Sequence, residues 1–384
     1  MPLPFRLEVS DGTARSGVLS TARGDIETPA FMPVATRGVV KGILPGALKR
    51  LGASMILMNL YHLLERPGLE TAERLGGIHA MFGWDGPILT DSGGYQVWSL
   101  SESVSISDEA VKFRSPYDGS ERTLTPESAV ESQSRLGADV AMALDDCPDP
   151  KAGADRIREA ADRTIRWAKH CLEAARRPDC ALFGIVQGGT DLALRREQAS
   201  ALSAMAFDGF GIGGLSLGEE KSSTWAALEA LDATLPREKP RYLMGVGEPT
   251  DLLEGVERGV DLFDCVLPAR VGRNGGFFTP DGRRQIRNAA FRDDASPLFG
   301  GCDCPACAPE SGSADLGLPA RKTPWSRAAL HHFFRVGEML GPILLSMHNI
   351  RFLLRLAASA REAVRAARFA AFKAEFTARY RAGE

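Results

Sequence analysis

Eight times along this chain a short apolar run ends in a small or polar residue. The runs are FMPVAT (31–36), SMILMN (54–59), PILTD (87–91), DVAMALD (139–145), ALFGIVQ (181–187), GFGIGG (209–214), RYLMGV (241–246) and VDLFD (260–264). Their lengths suit buried parallel strands, which read as continuous apolar segments. Helical patterns follow most of them, for example over 154–175 and 224–235. Strand–helix alternation repeated eight times argues for an α/β protein built on a closed (β/α)8 TIM barrel, more than for an open doubly wound sheet. A chain of 384 residues accommodates such a barrel as one domain over 1–384, with an appendage. Two segments interrupt the alternation. Residues 111–125 read as a β-hairpin turning at Asp118–Gly119, inserted after the third strand. Residues 301–324, rich in Cys, Gly, Pro and Ser, read as a metal knot plus a loop. The tail, 351–381, alternates Arg and Lys with Ala, Phe and Leu, as an amphipathic helix packed on the barrel would.

Composition narrows the class. With 44% hydrophobic and 25% charged residues the chain reads as a soluble globular protein. The start, MPLPFRLEVSDG, has no basic region followed by an apolar core, so no signal peptide is expected. No apolar run approaches the roughly 20 residues that span a bilayer. Of seven cysteines, Cys302, Cys304 and Cys307 crowd together while Cys147, Cys171, Cys180 and Cys265 are scattered. That is no secreted disulfide framework, and the expected compartment is the cytoplasm. A net charge of −3 sets up no global field for nucleic acid, so any RNA site must be a local basic patch.

On a barrel the C-terminal ends of the strands converge on one mouth, where active sites sit. Asn59, Asp91, Asp145, Gln187, Gly213, Gly214 and Asp264 fall there. Singly, each is as readily a turn or helix-cap residue; together they mark a candidate site. Paired carboxylates can break a bond to an anomeric carbon, one as nucleophile and one as general acid/base. Spacing alone would equally admit a glycoside hydrolase. The CxCxxC of 302–307 supplies three thiolates, and tetrahedral closure around zinc needs a fourth ligand. His331, His332 and His348 lie downstream.

The words around these residues are specific. TDSGGYQVWSL (90–100), FGIVQGG (183–189), GGLSLGE (213–219), RYLMGVGEP (241–249) and DLFDCVLPARVGRNG (261–275) resemble the signature segments of the bacterial tRNA-guanine transglycosylase family. TPAFMPVATRG (28–38), NLYHLLERPG (59–68) and SMHNI (346–350) match as well, so the resemblance runs in order along nearly the whole chain. It implies Asp264 as the nucleophile at C1′ of the wobble nucleotide and Asp91 as general acid/base, through a covalent intermediate. Asp145 would accept from N1–H and the amino group of a guanine edge, with Gln187 and the Gly214 N–H donating to O6 beside Gly213. Tyr95 and Met244 would sandwich the flipped base, and Asn59 would orient Asp264. Arg270 and Arg273 would hold anticodon phosphates. One structural zinc per subunit would sit on Cys302, Cys304, Cys307 and His348, within a zinc-binding subdomain over 301–350.

The resemblance further implies 7-aminomethyl-7-deazaguanine as the incoming base and G-U-N anticodon tRNAs (Asp, Asn, His and Tyr acceptors) as the substrate. It also implies a homodimer with one tRNA bound. The Leu215 carbonyl and Glu219 would receive the aminomethyl group. Leu217, with Cys147 beside it, would wall off the bulkier queuine. The chain departs from the family pattern at Asp146, Ala269 and Ser216, and 308–324 is longer than usual. A non-catalytic tRNA-binding paralogue would lack the nucleophile, and here both Asp264 and Asp91 are present.

Overall fold

The structure is a computed structural model that describes residues 4–96, 104–149, 151–308 and 323–382. All eight apolar runs form strands: Ala30–Pro33, Ile56–Asn59, Ile88–Asp91, Val140–Met142, Ala181–Val186, Gly209–Ile212, Arg241–Leu243 and Leu262–Cys265. They pair in parallel, each with its neighbours in chain order, and the eighth returns to the first. The first and second strands meet through one parallel bridge, Val34 to Leu57. There the Ala35 N–H donates to the Leu57 carbonyl at 2.7 Å, so the sheet is a nearly closed barrel.

The inside of the barrel is a packed core, not a pore. Met32, Leu57, Leu89, Val140, Met142, Phe183, Ile185 and Leu262 form one buried cluster. Leu19 and Ile26 join it from a three-stranded antiparallel sheet, Phe5–Asp11, Ala14–Thr21 and Gly24–Thr28. This sheet, absent from the sequence reading, plugs the N-terminal mouth. A buried ion pair ties it there. Arg15 donates through Nε to Asp261 at 3.0 Å and through its other nitrogens to the carbonyls of Arg237 and Lys239. A charge that is both paired and hydrogen-bonded is what burial tolerates.

Helices Ala154–Glu173 and Lys221–Asp232 lie where the sequence places them. Val111–Arg114 pairs antiparallel with Glu121–Leu124, the expected hairpin, with Gly119 in the turn at φ +71°. A third strand, Val104–Ile106, extends that sheet. The C-terminal tail differs from its expectation. It is two helices, Leu340–Arg365 and Phe369–Ala382, separated at Ala367, whose φ of +51° is left-handed and breaks the helix. Most of the long stretch 308–324 lies outside the described residues.

The 26-residue helix Leu340–Arg365 crosses the short helix Leu267–Arg273 that follows the eighth strand. At the crossing, a Cβ on Gly272 would stand 2.5 Å from the Ser346 nitrogen, so only glycine permits the approach. Asn349 fastens the pair: its side-chain amide donates to the carbonyls of Pro268 and Gly276 and accepts from the Phe278 N–H, each at 3.0 Å. The eighth strand end is thereby fixed from behind.

Candidate active site

Three carboxylates meet at the C-terminal mouth. Register sets Asn59 opposite Asp91, and Asp264 opposite Met32. Asp264, at 9% exposure, is held at one oxygen only. The Tyr242 hydroxyl donates to its Oδ1 at 2.6 Å and the Gly245 N–H donates to the same atom at 2.7 Å. Its Oδ2 has no donor among the described residues. Burial raises the Asp264 pKa, and the two donors oppose that rise. The carboxylate is thus clamped by one oxygen, and the other is left for a ligand.

Asp91 receives the Asn59 amide on Oδ2 at 2.6 Å, while its Oδ1 is buried without a partner. The family resemblance implies that Asn59 orients Asp264. The structure instead gives it to Asp91, because the two stand opposite on adjacent strands. Burial, with the charges of Asp264 and Asp145 adding to it, pushes the Asp91 carboxyl up to about 7. A carboxyl at that value is protonated and ionised in comparable amounts near neutrality, as a group that gives and then takes a proton must be.

Asp145, buried, accepts from Gln187 Nε2 at 2.7 Å and from the Ser92 hydroxyl at 3.3 Å. Burial pushes it up to about 6. Gln187 Nε2 carries a second hydrogen beyond the one given to Asp145, and its Oε1 is buried unpaired. Gln187 lies against Gly213–Gly214: a Cβ on Gly214 would sit 2.3 Å from Oε1, and Gly214 has a φ of +65°. Neighbouring Asp146 is drawn off by Arg163 at 2.6 Å and Arg156 at 2.7 Å, so only one of the adjacent carboxylates remains for a ligand.

The Cys/His set assembles. The Sγ atoms of Cys302, Cys304 and Cys307 lie 3.6, 3.4 and 3.3 Å from His348 Nδ1, and all four residues are buried. Bonds of about 2.3 Å to sulfur and about 2.0 Å to nitrogen at a tetrahedral angle imply a sulfur–nitrogen separation of roughly 3.5 Å. The observed distances fit. His348 Nε2 donates to the Phe278 carbonyl at 2.7 Å, which leaves Nδ1 free to ligate. His331 and His332 are not part of the group. These four residues form a closed set that could hold one metal ion.

A family model for queuine tRNA-ribosyltransferase matches residues 10–382. The chain belongs to that family. A Sphingopyxis alaskensis protein named queuine tRNA-ribosyltransferase is 48% identical over 98% of each chain. One of the same name from Thermus thermophilus is 47% identical over 98% of this chain and 94% of its own. A Herpetosiphon aurantiacus relative, likewise named, is 47% identical over 98% and 92%. The family is one of glycosyl-transfer enzymes. No helix among the described residues is long and apolar enough to cross a membrane.

Within the queuine tRNA-ribosyltransferase frame the remaining residues fall as follows. Arg270 is exposed and Arg273 half-buried on helix Leu267–Arg273, with no ion pair for either among the described residues. Tyr95 is exposed beyond the third strand, and Met244 is half-buried just beyond the seventh. The Tyr61 ring lies 5.4 Å from that of Phe113, and its hydroxyl is buried without a partner among the described residues. Cys147 and Cys265 are each pushed up to about 12 by burial, so neither is a thiolate near neutrality. Tyr242 and Ser92, which hold the two key carboxylates, were not singled out from sequence. Tyr242 reads there as one more apolar strand residue, and only the fold brings its hydroxyl to Asp264.

Proposed function

We propose that this chain is a tRNA-guanine transglycosylase that replaces the wobble guanine of G-U-N anticodon tRNAs with 7-aminomethyl-7-deazaguanine. The observation carrying the reading is Asp264, bonded through Oδ1 alone, beside an Asp91 poised about neutrality. Asp264 Oδ2 attacks C1′, the C1′–N9 bond breaks, and its electron pair leaves with guanine. Asp91 delivers a proton to that base, then removes one from the incoming base as it displaces Asp264. Two inversions at C1′ retain configuration. Asp145 accepts from N1–H and the amino group, and Gln187 with the Gly214 N–H serves O6.

The aminomethyl preference is supported by one peptide. Glu219 accepts from the N–H groups of Ser216 and Leu217 and from the Thr224 hydroxyl. Because the Leu215–Ser216 peptide is trans, its carbonyl faces away from Glu219. Glu219 thus acts by orienting the Leu215 carbonyl, rather than by meeting the ammonium as the sequence reading had it. Half-buried Leu217 would form the wall that a larger substituent meets.

Zinc would occupy Cys302, Cys304, Cys307 and His348 as a structural ion, holding the Cys302–Cys307 turn to helix Leu340–Arg365 with no part in the chemistry. A second copy would cover the exposed apolar residues Leu44, Val336, Met339 and Leu340, the first and third 72% and 77% exposed. Ile343, packed on Gly42, joins the two segments into one patch. The test is transfer of labelled guanine into unfractionated tRNA. Incorporation at the wobble position is expected; a protein that cleaves glycosides and incorporates no label would overturn the reading.

A further inference from the structure

Three arginines are almost wholly buried: Arg15, Arg195 and Arg241, at 1%, 0% and 2% exposure. Arg15 is paired with Asp261 and Arg241 with Asp232. Arg195, on helix Leu192–Ser203 behind the fifth strand, has no carboxylate partner among the described residues. Its fork goes to backbone carbonyls: Gly189 at 2.7 Å through Nε, Val186 at 3.2 Å through Nη1, and Gly213 at 2.8 Å through Nη2. Burial lowers its pKa to about 10, which still leaves it charged at neutral pH. Glu219 is the carboxylate that acts on it, from beyond contact distance. A buried cation with no carboxylate in contact is costly, and structural bracing alone does not require one.

What the carbonyls belong to is informative. Val186 and Gly189 flank Gln187, and Gly213 precedes Gly214, so one guanidinium grips both turns that present donors to the base pocket. The Gly213–Gly214 peptide is trans. Its carbonyl faces Arg195, so the Gly214 N–H points to the opposite side. That N–H has no acceptor among the described residues.

We propose that Arg195 is a positioning residue for the transfer reaction: its charge polarises the Gly213–Gly214 peptide, strengthening the Gly214 N–H as a donor to O6 of the departing base. This rests on the assignment of the Gly214 N–H to O6. As the C1′–N9 bond breaks, the electron pair spreads through the purine and part of it gathers on O6. A donor fixed beforehand at that atom gains strength as the charge develops, and a cation on the carbonyl oxygen of the same peptide increases that gain.

The test compares Arg195→Lys, which keeps the charge, with Arg195→Gln, which keeps donors and loses the charge. For each, kcat and KM of guanine exchange, the Kd for tRNA, and the affinities for guanine and for 2-aminopurine, which lacks O6 and the N1 hydrogen, are measured; the N1–H loss is common to all variants, so the change in preference between them reads O6. Arg195→Gln should lose roughly ten- to a hundredfold in kcat, with KM changed less and the Kd for tRNA held. Arg195→Lys should recover most of the rate. The preference of Arg195→Gln for guanine over 2-aminopurine should shrink. Equal kcat in the two variants, or equal loss of affinity for both bases, would overturn the proposal, since a merely structural brace predicts either. Wild-type protein that binds both bases equally would instead remove the O6 assignment beneath it.

Discussion

On the proposed function, Asp145 is the side chain that reads the guanine edge. Removing a buried charged acceptor leaves two ligand donors unpaired, a loss of about 2–4 kcal/mol. Asp145→Ala should therefore slow guanine exchange by tens to hundreds of fold while tRNA affinity stays nearly constant. Equal loss of both, measured by exchange kinetics and filter binding, would make Asp145 a fold residue. The same carboxyl sets one limb of a pH profile. Asp145 must be ionised to accept, and its carboxyl is pushed up to about 6, so base recognition fails as pH falls through that value. Asp91 must be protonated to assist the leaving guanine, and it is pushed up to about 7, so that step fails as pH rises through it. The single-turnover rate of guanine release should be bell-shaped with its maximum between these limbs. A rate flat from pH 5 to 9 would contradict both assignments.

Among the elements, the eight barrel strands were legible because their apolar runs are continuous and end in polar residues. The N-terminal sheet was not. Phe5–Asp11 alternates half-buried and exposed residues, a weaker pattern than the buried runs, and its role as a plug depends on contacts with the barrel core. The tail helices were read as one because nothing in an Ala- and Arg-rich stretch announces a left-handed residue at Ala367. Site residues at strand ends could be named from sequence, but their partners could not. That Asn59 serves Asp91 and Tyr242 serves Asp264 depends on which strands are adjacent, and on register.

The Cys/His cluster links two distant parts of the chain, so loss of a metal bound there should be felt in stability first. Cys304→Ser should lose bound metal and lower the thermal midpoint, with activity falling only as the protein unfolds. Metal content unchanged in both Cys304→Ser and His348→Ala would dispose of the site. The loop after the sixth strand makes a narrower prediction. Leu217→Gly should raise queuine incorporation more than it lowers use of the aminomethyl base, since relieving overpacking is worth about 1–3 kcal/mol. Unchanged relative rates would place the wall elsewhere.

For the molecule as a whole, the exposed apolar patch at Leu44, Val336, Met339 and Leu340 should close on a second copy. Met339→Glu should shift sedimentation toward the monomer, and a wild-type monomer at micromolar concentration would refute the pairing. If Asp264 is the nucleophile, it forms a covalent bond to the ribose of tRNA, which a denaturing gel detects. Protein and tRNA, mixed with the incoming base withheld, are run on a denaturing gel. The expected result is a slow-migrating protein–tRNA band that disappears on addition of base and is absent from Asp264→Asn, which should still bind tRNA. A band of normal yield from Asp264→Asn would contradict it.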